Sequence, residues 1–255
     1  MAVIRCPGAQ FQNIEAVIFD KDGTLADSHD FLRTLAQMRS RLIDARIPGV
    51  QEPLLMAFGV EGTVLNPQGL MAVGTRYENE IAAAAYVAET GRDWAEALDV
   101  VRQSFQEAEQ SAHRKAKLTP PYPGTETLLA HLSSNGIKVG IFSSDTTENV
   151  NDFLKFYKLA PYVDHAQGTD QANLAKPNPE LVLRTCEALK VSPQATLFLG
   201  DSILDLQAAR QAGLAGFIYV NWLGSEISLQ SDAVINSWSD LELSLNPVIK
   251  GIIKA

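Results

Sequence analysis

The chain reads in three parts by the rhythm of its apolar and polar positions. Residues 14–20 form a short apolar run that breaks into turn chemistry, which predicts a buried strand. From about residue 28 to 118 the spacing turns helical. Phe31, Leu35, Met38 and Leu42 share one face, and Trp94, Leu98, Val101, Phe105 and Ala112 share another further on. Between them, "YENEIAAAAYVAETG" predicts a short helix ending at Gly91, with an alanine run that lets a neighbouring helix approach closely. No strand pattern interrupts this stretch, which reads as a helical bundle. "LTPPYPG", residues 118–124, then stops helix formation and suits a stiff linker.

After the linker, helices and strands alternate. "TETLLAHLSSNG" predicts a helix closed by Gly136, and "IKVGIF" a strand. "DTTENVNDFLKFYKL" predicts a helix with Asp145 and Glu148 spaced as a capping box. "PELVLRTCEALK" predicts a helix started by Pro179. "TLFLG" and "GFIYV" read as strands around the helix "ILDLQAARQAG", and "AVIN" as an edge strand. Such alternation implies an α/β fold with a parallel sheet covered on both faces. The first strand precedes the helical region and the others follow it. The expectation is a doubly wound, Rossmann-like core (1–26 and 120–255) with an α-helical segment (27–119) inserted in it.

Composition narrows the class. The 255 residues are 46% hydrophobic, enough for one sizeable core or a core plus a smaller one. Net charge is −9, which argues against a nucleic-acid partner yet leaves room for a local anion site. Cys6 and Cys186 suggest neither a disulfide scaffold nor a zinc site, so a reducing, cytoplasmic setting is expected. "MAVIRCPGAQ" lacks the apolar region of a signal peptide, and no apolar run approaches the ~18 residues of a membrane span.

Ligands of open parallel sheets bind beyond the carboxyl ends of the strands. The strands predicted here end in Asp20 (with Asp22 two residues on), in Ser143-Ser144, and in Asp201, with Asp205 one turn into the next helix. Lys176 precedes a proline-stiffened helix start in "AKPNPE". All fall on one edge of one sheet. Asp20, Asp201 and Asp205 would form a hard, oxygen-rich cluster whose repulsion calls for a divalent cation, and Mg2+ suits it best. Ser143, the helix start after it and Lys176 would cradle a phosphate. Asp205 has a second reading, since a carboxylate in a first helical turn favours the dipole. Ser144 has one as the cap of the following helix. His29, His113, His131 and His165 show no ligand spacing, and Trp222 and Trp238 read as packing residues.

"FDKDGTLADS", "IFSSD", "AKPNPE" and "GDSILD" resemble, in order, the four motifs of the haloacid dehalogenase superfamily. The resemblance implies that Asp20 is a nucleophile and Asp22 the acid that protonates the leaving group, then the base for water. It implies that Ser143 and Lys176 hold phosphoryl oxygens. Asp201, Asp20 and the carbonyl of Asp22 would bind Mg2+, with Asp205 in the metal's outer shell. The helical insertion resembles that family's cap domain. Alternate residues of an extended chain face one side, so Asp20 and Asp22 would address one phosphoryl group while Lys21 points away. "AVGTRYENE" places Gly74-Thr75 before a helix starting near Tyr77, with Arg76 at the junction. A cation there sits on the unfavourable end of the dipole. It reads either as solvated or as the ligand of a substrate carboxylate or second phosphate.

The function implied is a Mg2+-dependent phosphatase acting on a small phosphorylated metabolite, without nucleic acid or membrane, its oligomeric state open. Phosphoglycolate, sugar phosphates and nucleotides all fit. A phosphomutase shares all four motifs. A dehalogenase would not need Asp22, and a non-catalytic phosphate-binding protein would be expected to lose Asp20 or Asp22.

Overall fold

The computed structural model describes residues 2–111, 114–224 and 230–245. Ala112 and His113 lie outside the described residues. The chain opens with β1 (Ala2–Cys6), β2 (Ala9–Ile14) and β3 (Ala16–Phe19). Helices α1 (His29–Arg46) and α2 (Gln51–Phe58) follow, then a short antiparallel hairpin of β4 (Val60–Glu61) and β5 (Val64–Leu65). Next come α3 (Leu70–Val73), α4 (Arg76–Glu89), α5 (Trp94–Ser111), α6 (Lys115–Leu118) and α7 (Thr125–Ser134). The alternating part runs β6 (Lys138–Phe142), α8 (Thr147–Phe156), β7 (His165–Gln167), α9 (Glu180–Leu189), β8 (Thr196–Gly200), α10 (Ile203–Gln211) and β9 (Gly216–Val220). β10 (Ala233–Ile235) and β11 (Glu242–Leu245) complete it.

Among the described residues, six strands lie parallel in the order β10-β9-β8-β3-β6-β7. Both faces are dry, which is why the strands are runs of apolar residues rather than alternations. Val17 and Phe19 of β3 pack on one face with Leu129 of α7 and Phe153 of α8. Ala16 and Ile18 pack on the other with Val182 of α9 and Ala208 of α10. The chain winds outward from β3 through β6 to β7, then returns to β8 and winds the other way. The reversal sits beside β3, where a doubly wound sheet opens a crevice.

Residues 35–108 contribute a separate apolar cluster, with Phe58 and Phe105 at its centre and Ala83 and Ala84 where α4 meets α5. Trp94 of α5 is exposed, so the expected apolar face loses its first member and the buried face of that helix begins at Ala97. The chain leaves and rejoins the sheet along paired strands: Asp27 N–H donates to Pro120 O (2.8 Å), Tyr122 N–H to Leu25 O (2.9 Å), and Ala26 bridges Pro121. α6 packs on α8, and Ala116 belongs to the sheet's core rather than to the helical cluster.

Four points of the sequence reading need correction. The run over residues 14–20 is two elements, with Ile14 closing β2 and β3 starting at Ala16. β1 and β2 pair with β11 in an antiparallel sheet of their own, a feature absent from the sequence reading. The helical stretch contains the β4–β5 hairpin. Finally, α8 is capped by Thr146, whose hydroxyl accepts from Asn149 N–H (3.2 Å), and not by Asp145. Asp145 is drawn instead to two lysines.

Candidate active site

A cavity of about 1000 Å3 opens over the carboxyl edge of the sheet and extends under the helical segment. Its floor is built by strand ends. Asp20 extends β3, its N–H bonded to Leu199 O at 2.9 Å. The chain then turns within a few residues: Leu25 and Ala26 N–H both donate to Lys21 O (2.9 and 2.8 Å). Gly23 has φ +83°, and a Cβ there would lie 2.7 Å from Asp201 Cγ. A side chain at this position would therefore collide with the end of β8 as well as strain the backbone. Thr24 Oγ1 donates to Asp201 Oδ1 (3.2 Å), while Trp222 Nε1 donates to Thr24 O (2.9 Å) and stacks edge-on with Trp238. The two tryptophans are packing residues that brace the turn.

Ligand oxygens of Asp20, Asp201 and Asp205 lie within 4.8 Å of one another. Lys176 reaches into this cluster, its Nζ 2.5 Å from Asp20 Oδ1 and 2.7 Å from Asp205 Oδ1. Asp205 caps its helix, as one of its two sequence readings expects. Oδ2 closes a capping box on α10, accepting from Ser202 N–H (3.1 Å) and Oγ (2.7 Å), while Oδ1 faces Lys176.

Three carboxylates around one lysine leave a deficit of positive charge. Burial pushes the Asp20 carboxyl up to about 7 despite Lys176. Burial, with Asp20 and Asp205 alongside, raises Asp201 well above the usual carboxylate range. Burial opposes the charge on Lys176, but Asp20 and Asp205 outweigh it and hold the ammonium above its ordinary value. The donor set is all oxygen, the ionised form is under-compensated, and the turn at Gly23 keeps the approach free of a side chain. These residues fit a small hard cation such as Mg2+.

Ser143 is buried at the end of β6; its Oγ accepts from Asp145 N–H (3.2 Å) and its carbonyl accepts from Thr169 Oγ1 (3.0 Å). Ser144 does not cap the following helix but donates to Val73 O (3.3 Å) in the helical segment. Asp22 faces the cavity, and its Oδ2 is held by two ammonium groups, Lys21 (2.7 Å) and Lys115 (2.8 Å). Lys21, expected to point away, is buried and also meets Asp145 at 3.0 Å. Burial favours a neutral Asp22, yet Lys115 and Lys21 outweigh it and hold its carboxyl below the usual range. Asp145 is likewise held far down by Lys115 and Lys21 against its burial.

Arg76 is the first residue of α4, with Thr75 and Glu78 forming the capping box. It lines the cavity, but the anions beside it are the chain's own: Glu109 at 2.7 Å and Glu80 at 2.8 Å. Glu109 also meets Arg39, which is buried and stacked on Phe105. Burial lowers that guanidinium to about 10. His29, His131 and His165 do not line the cavity.

Four contributors escaped the sequence reading: Lys21, Lys115, Asp145 as an ion-pair partner, and Gln68. Gln68 spans from the helical segment to the sheet edge, donating to Asp201 O (2.9 Å) and accepting from Ile203 N–H (3.0 Å). Only Asp145 carried a usable sign, since it follows directly on the serines that end β6.

The chain is similar to known proteins over most of its length. A phosphoglycolate phosphatase of Shigella sonnei (strain Ss046) is 28% identical over 236 residues, covering 91% of this chain and 92% of that protein. A solved structure of a predicted phosphoglycolate phosphatase from Haemophilus somnus 129PT superposes with a TM-score of 0.65 at 20% identity, over 90% of this chain and 96% of the other. A predicted phosphatase from Clostridium acetobutylicum gives a TM-score of 0.63 at 20% identity, over 89% and 95%. The family model for haloacid dehalogenase-like hydrolases matches residues 14–213, a span that holds Asp20, Asp22, Ser143, Lys176, Asp201 and Asp205. The chain belongs to the haloacid dehalogenase-like hydrolase family.

Proposed function

We propose that the protein is a Mg2+-dependent phosphatase that hydrolyses a small phosphomonoester through an aspartyl-phosphate on Asp20. The observation that carries this reading is the cluster of Asp20, Asp201 and Asp205 around Lys176 at the carboxyl edge of the sheet. Asp20 is the attacking carboxylate: one of its oxygens bonds to phosphorus as the phosphorus–oxygen ester bond breaks. Asp22, ionised in the free enzyme, takes up a proton as the phosphate dianion binds and gives it to the departing alkoxide, yielding the free alcohol. Asp22 then accepts a proton from water as that water bonds to phosphorus and the Asp20 acyl oxygen leaves, returning the carboxylate and free phosphate. Lys176 and Ser143 hold phosphoryl oxygens and offset charge that grows on them in the transition state. Asp20, Asp201 and the Asp22 carbonyl, with Asp205 behind them, would hold Mg2+. When bound, it screens the repulsion between nucleophile and phosphate.

Residues 27–119 serve in this reading as a cap over the cavity, on a core formed by the rest of the chain. Ser144 and Arg76 line that cavity and serve in this reading as substrate contacts. Phosphoglycolate is the first substrate to try, because the curated relatives carry that activity in their names. No helix among the described residues is long and apolar enough to cross a membrane. We place the enzyme in the cytoplasm. The test is phosphate release from p-nitrophenyl phosphate and a panel of alkyl phosphates that includes phosphoglycolate, with Mg2+ and with excess chelator. Release that requires Mg2+ is expected. No release from any substrate overturns the reading, and turnover only with a bisphosphate cofactor would make the protein a mutase.

A further inference from the structure

Beside the carboxylate cluster, four charged side chains close a ring. Lys21 Nζ lies 2.7 Å from Asp22 Oδ2 and 3.0 Å from Asp145 Oδ2. Lys115 Nζ lies 2.8 Å from the same oxygen of Asp22 and 2.7 Å from the same oxygen of Asp145. Signs alternate around the ring and the charges cancel. Its members come from different places: Lys21 and Asp22 from the turn after β3, Asp145 from the end of β6, and Lys115 from α6, 93 positions along the chain from Asp22. Asp145 is fixed in turn, its Oδ1 accepting from Thr146 N–H and Asn149 Nδ2 at 2.8 Å each.

Both lysines grip a single oxygen of Asp22. The other, Oδ1, is buried and accepts no hydrogen bond from any described residue. A carboxylate pinned through one oxygen has its second oxygen aimed. Lys21 is Asp22's neighbour in sequence and ties it, through Asp145, to the end of β6. Lys115 fixes it relative to α6 and, through Asp145, to the start of α8. Stability alone explains the ring poorly, because desolvating buried ion pairs costs about as much as their attraction returns.

We propose that Lys115 is a positioning residue, holding Asp22 by Oδ2 so that Oδ1 meets the leaving-group oxygen. The inference rests on the reading of Asp22 as the acid that protonates the leaving group. It predicts a loss that depends on the leaving group. A nitrophenolate departs without a proton, whereas an alkoxide needs one. The ratio kcat/KM reports the steps up to transfer onto Asp20, so the two substrate types separate protonation from everything else.

The experiment measures kcat/KM of wild type, Lys115→Met and Lys115→Arg on p-nitrophenyl phosphate and on the best-hydrolysed alkyl phosphate of the panel. For Lys115→Met the alkyl value should fall roughly 10–100-fold, as for a displaced acid, and at least about tenfold more than the aryl value. Lys115→Arg should recover most of that difference. An equal fall on both substrates means a structural role only and overturns the proposal, as does no fall on the alkyl phosphate. If Lys115→Met does not fold, Asp145→Asn loosens Lys115 from its other anchor and must show the same alkyl-selective loss; an equal loss again overturns it. A wild type that releases phosphate from neither substrate would instead refute the phosphatase reading.

Discussion

Replacing Gly23 by alanine adds a single methyl group and should disable the site. Two separate costs apply. The backbone at Gly23 has φ +83°, where a β-carbon costs about 1–2 kcal/mol. The added carbon would also stand 2.7 Å from Asp201 Cγ, against about 3.5–4.0 Å for ordinary carbon contact. Asp201 would have to retreat by about 1 Å, which takes it off Thr24 Oγ1, now at 3.2 Å, and away from Asp20. A displacement of that size typically costs on the order of 10²-fold in rate. Gly136 supplies the control: it also has positive φ (+75°), but a Cβ there meets nothing within 4 Å. Both variants should lose ~2–8 °C in Tm, from 1–2 kcal/mol in a chain of this size. Only Gly23→Ala should lose roughly 10²-fold in kcat/KM on p-nitrophenyl phosphate and bind Mg2+ more weakly by titration calorimetry. A Gly23→Ala enzyme as active as Gly136→Ala would refute the crowding argument.

Asp20→Asn should abolish phosphate release while leaving Tm near or above wild type, because it removes one charge from a repulsive cluster; near-normal release would sink the covalent route. The metal-free protein should lose stability as pH rises. With Asp20 near 7 when folded and about 3.9 when unfolded, its contribution is intact below pH 4 and lost by pH 7, on the order of 4 kcal/mol in full. Mg2+ should accordingly raise Tm more at pH 8 than at pH 5 in calorimetric scans, and equal shifts would contradict the assignment. Arg76→Ala removes the nearest ion pair of the buried Glu80 and leaves it Arg102 at 3.8 Å, so a stability loss of about 1–2 kcal/mol is expected after discounting for the exposure of Arg76. A rise in KM with no change in Tm would show instead that Arg76 meets the substrate.

The residues that end strands were legible because a strand end is a local event: an apolar run, then a polar residue whose direction the pleat dictates. Asp20, Ser143 and Asp201 converge for that reason, and Lys176 joins them through the turn before α9. Asp205 had two sound local readings, and its two oxygens allow both. Lys21 and Lys115 were not legible. A lysine beside an aspartate reads as exposed by default, and only long-range contact shows that this pair of lysines neutralises a pair of aspartates. Arg76 raised the right question, what compensates a cation at a helix start; part of the answer was local, Glu80 four residues on, and the rest lay in α5, whose Glu109 no local pattern connects to it. The β1–β2 hairpin was available in principle. Its Pro7-Gly8 turn separates two runs, but polar residues dilute the second, and its partner β11 lies at the far end of the described chain.

The paired crossings between the sheet and the helical segment carry a mechanical consequence. A body joined by one flexible strand can swivel, tilt and translate. Residues 25–27 and 120–122 are instead laced side by side, by the Asp27–Pro120 and Tyr122–Leu25 bonds and the Ala26–Pro121 bridge. Such a ribbon resists twist and shear, since either would pull its hydrogen bonds out of line, and yields easily only to bending out of its own plane. Any movement of the helical cluster relative to the sheet would thereby be confined to one soft coordinate. Gln68 and Val73 meet the sheet edge at Asp201 and Ser144, so bending along that coordinate would break these two contacts first.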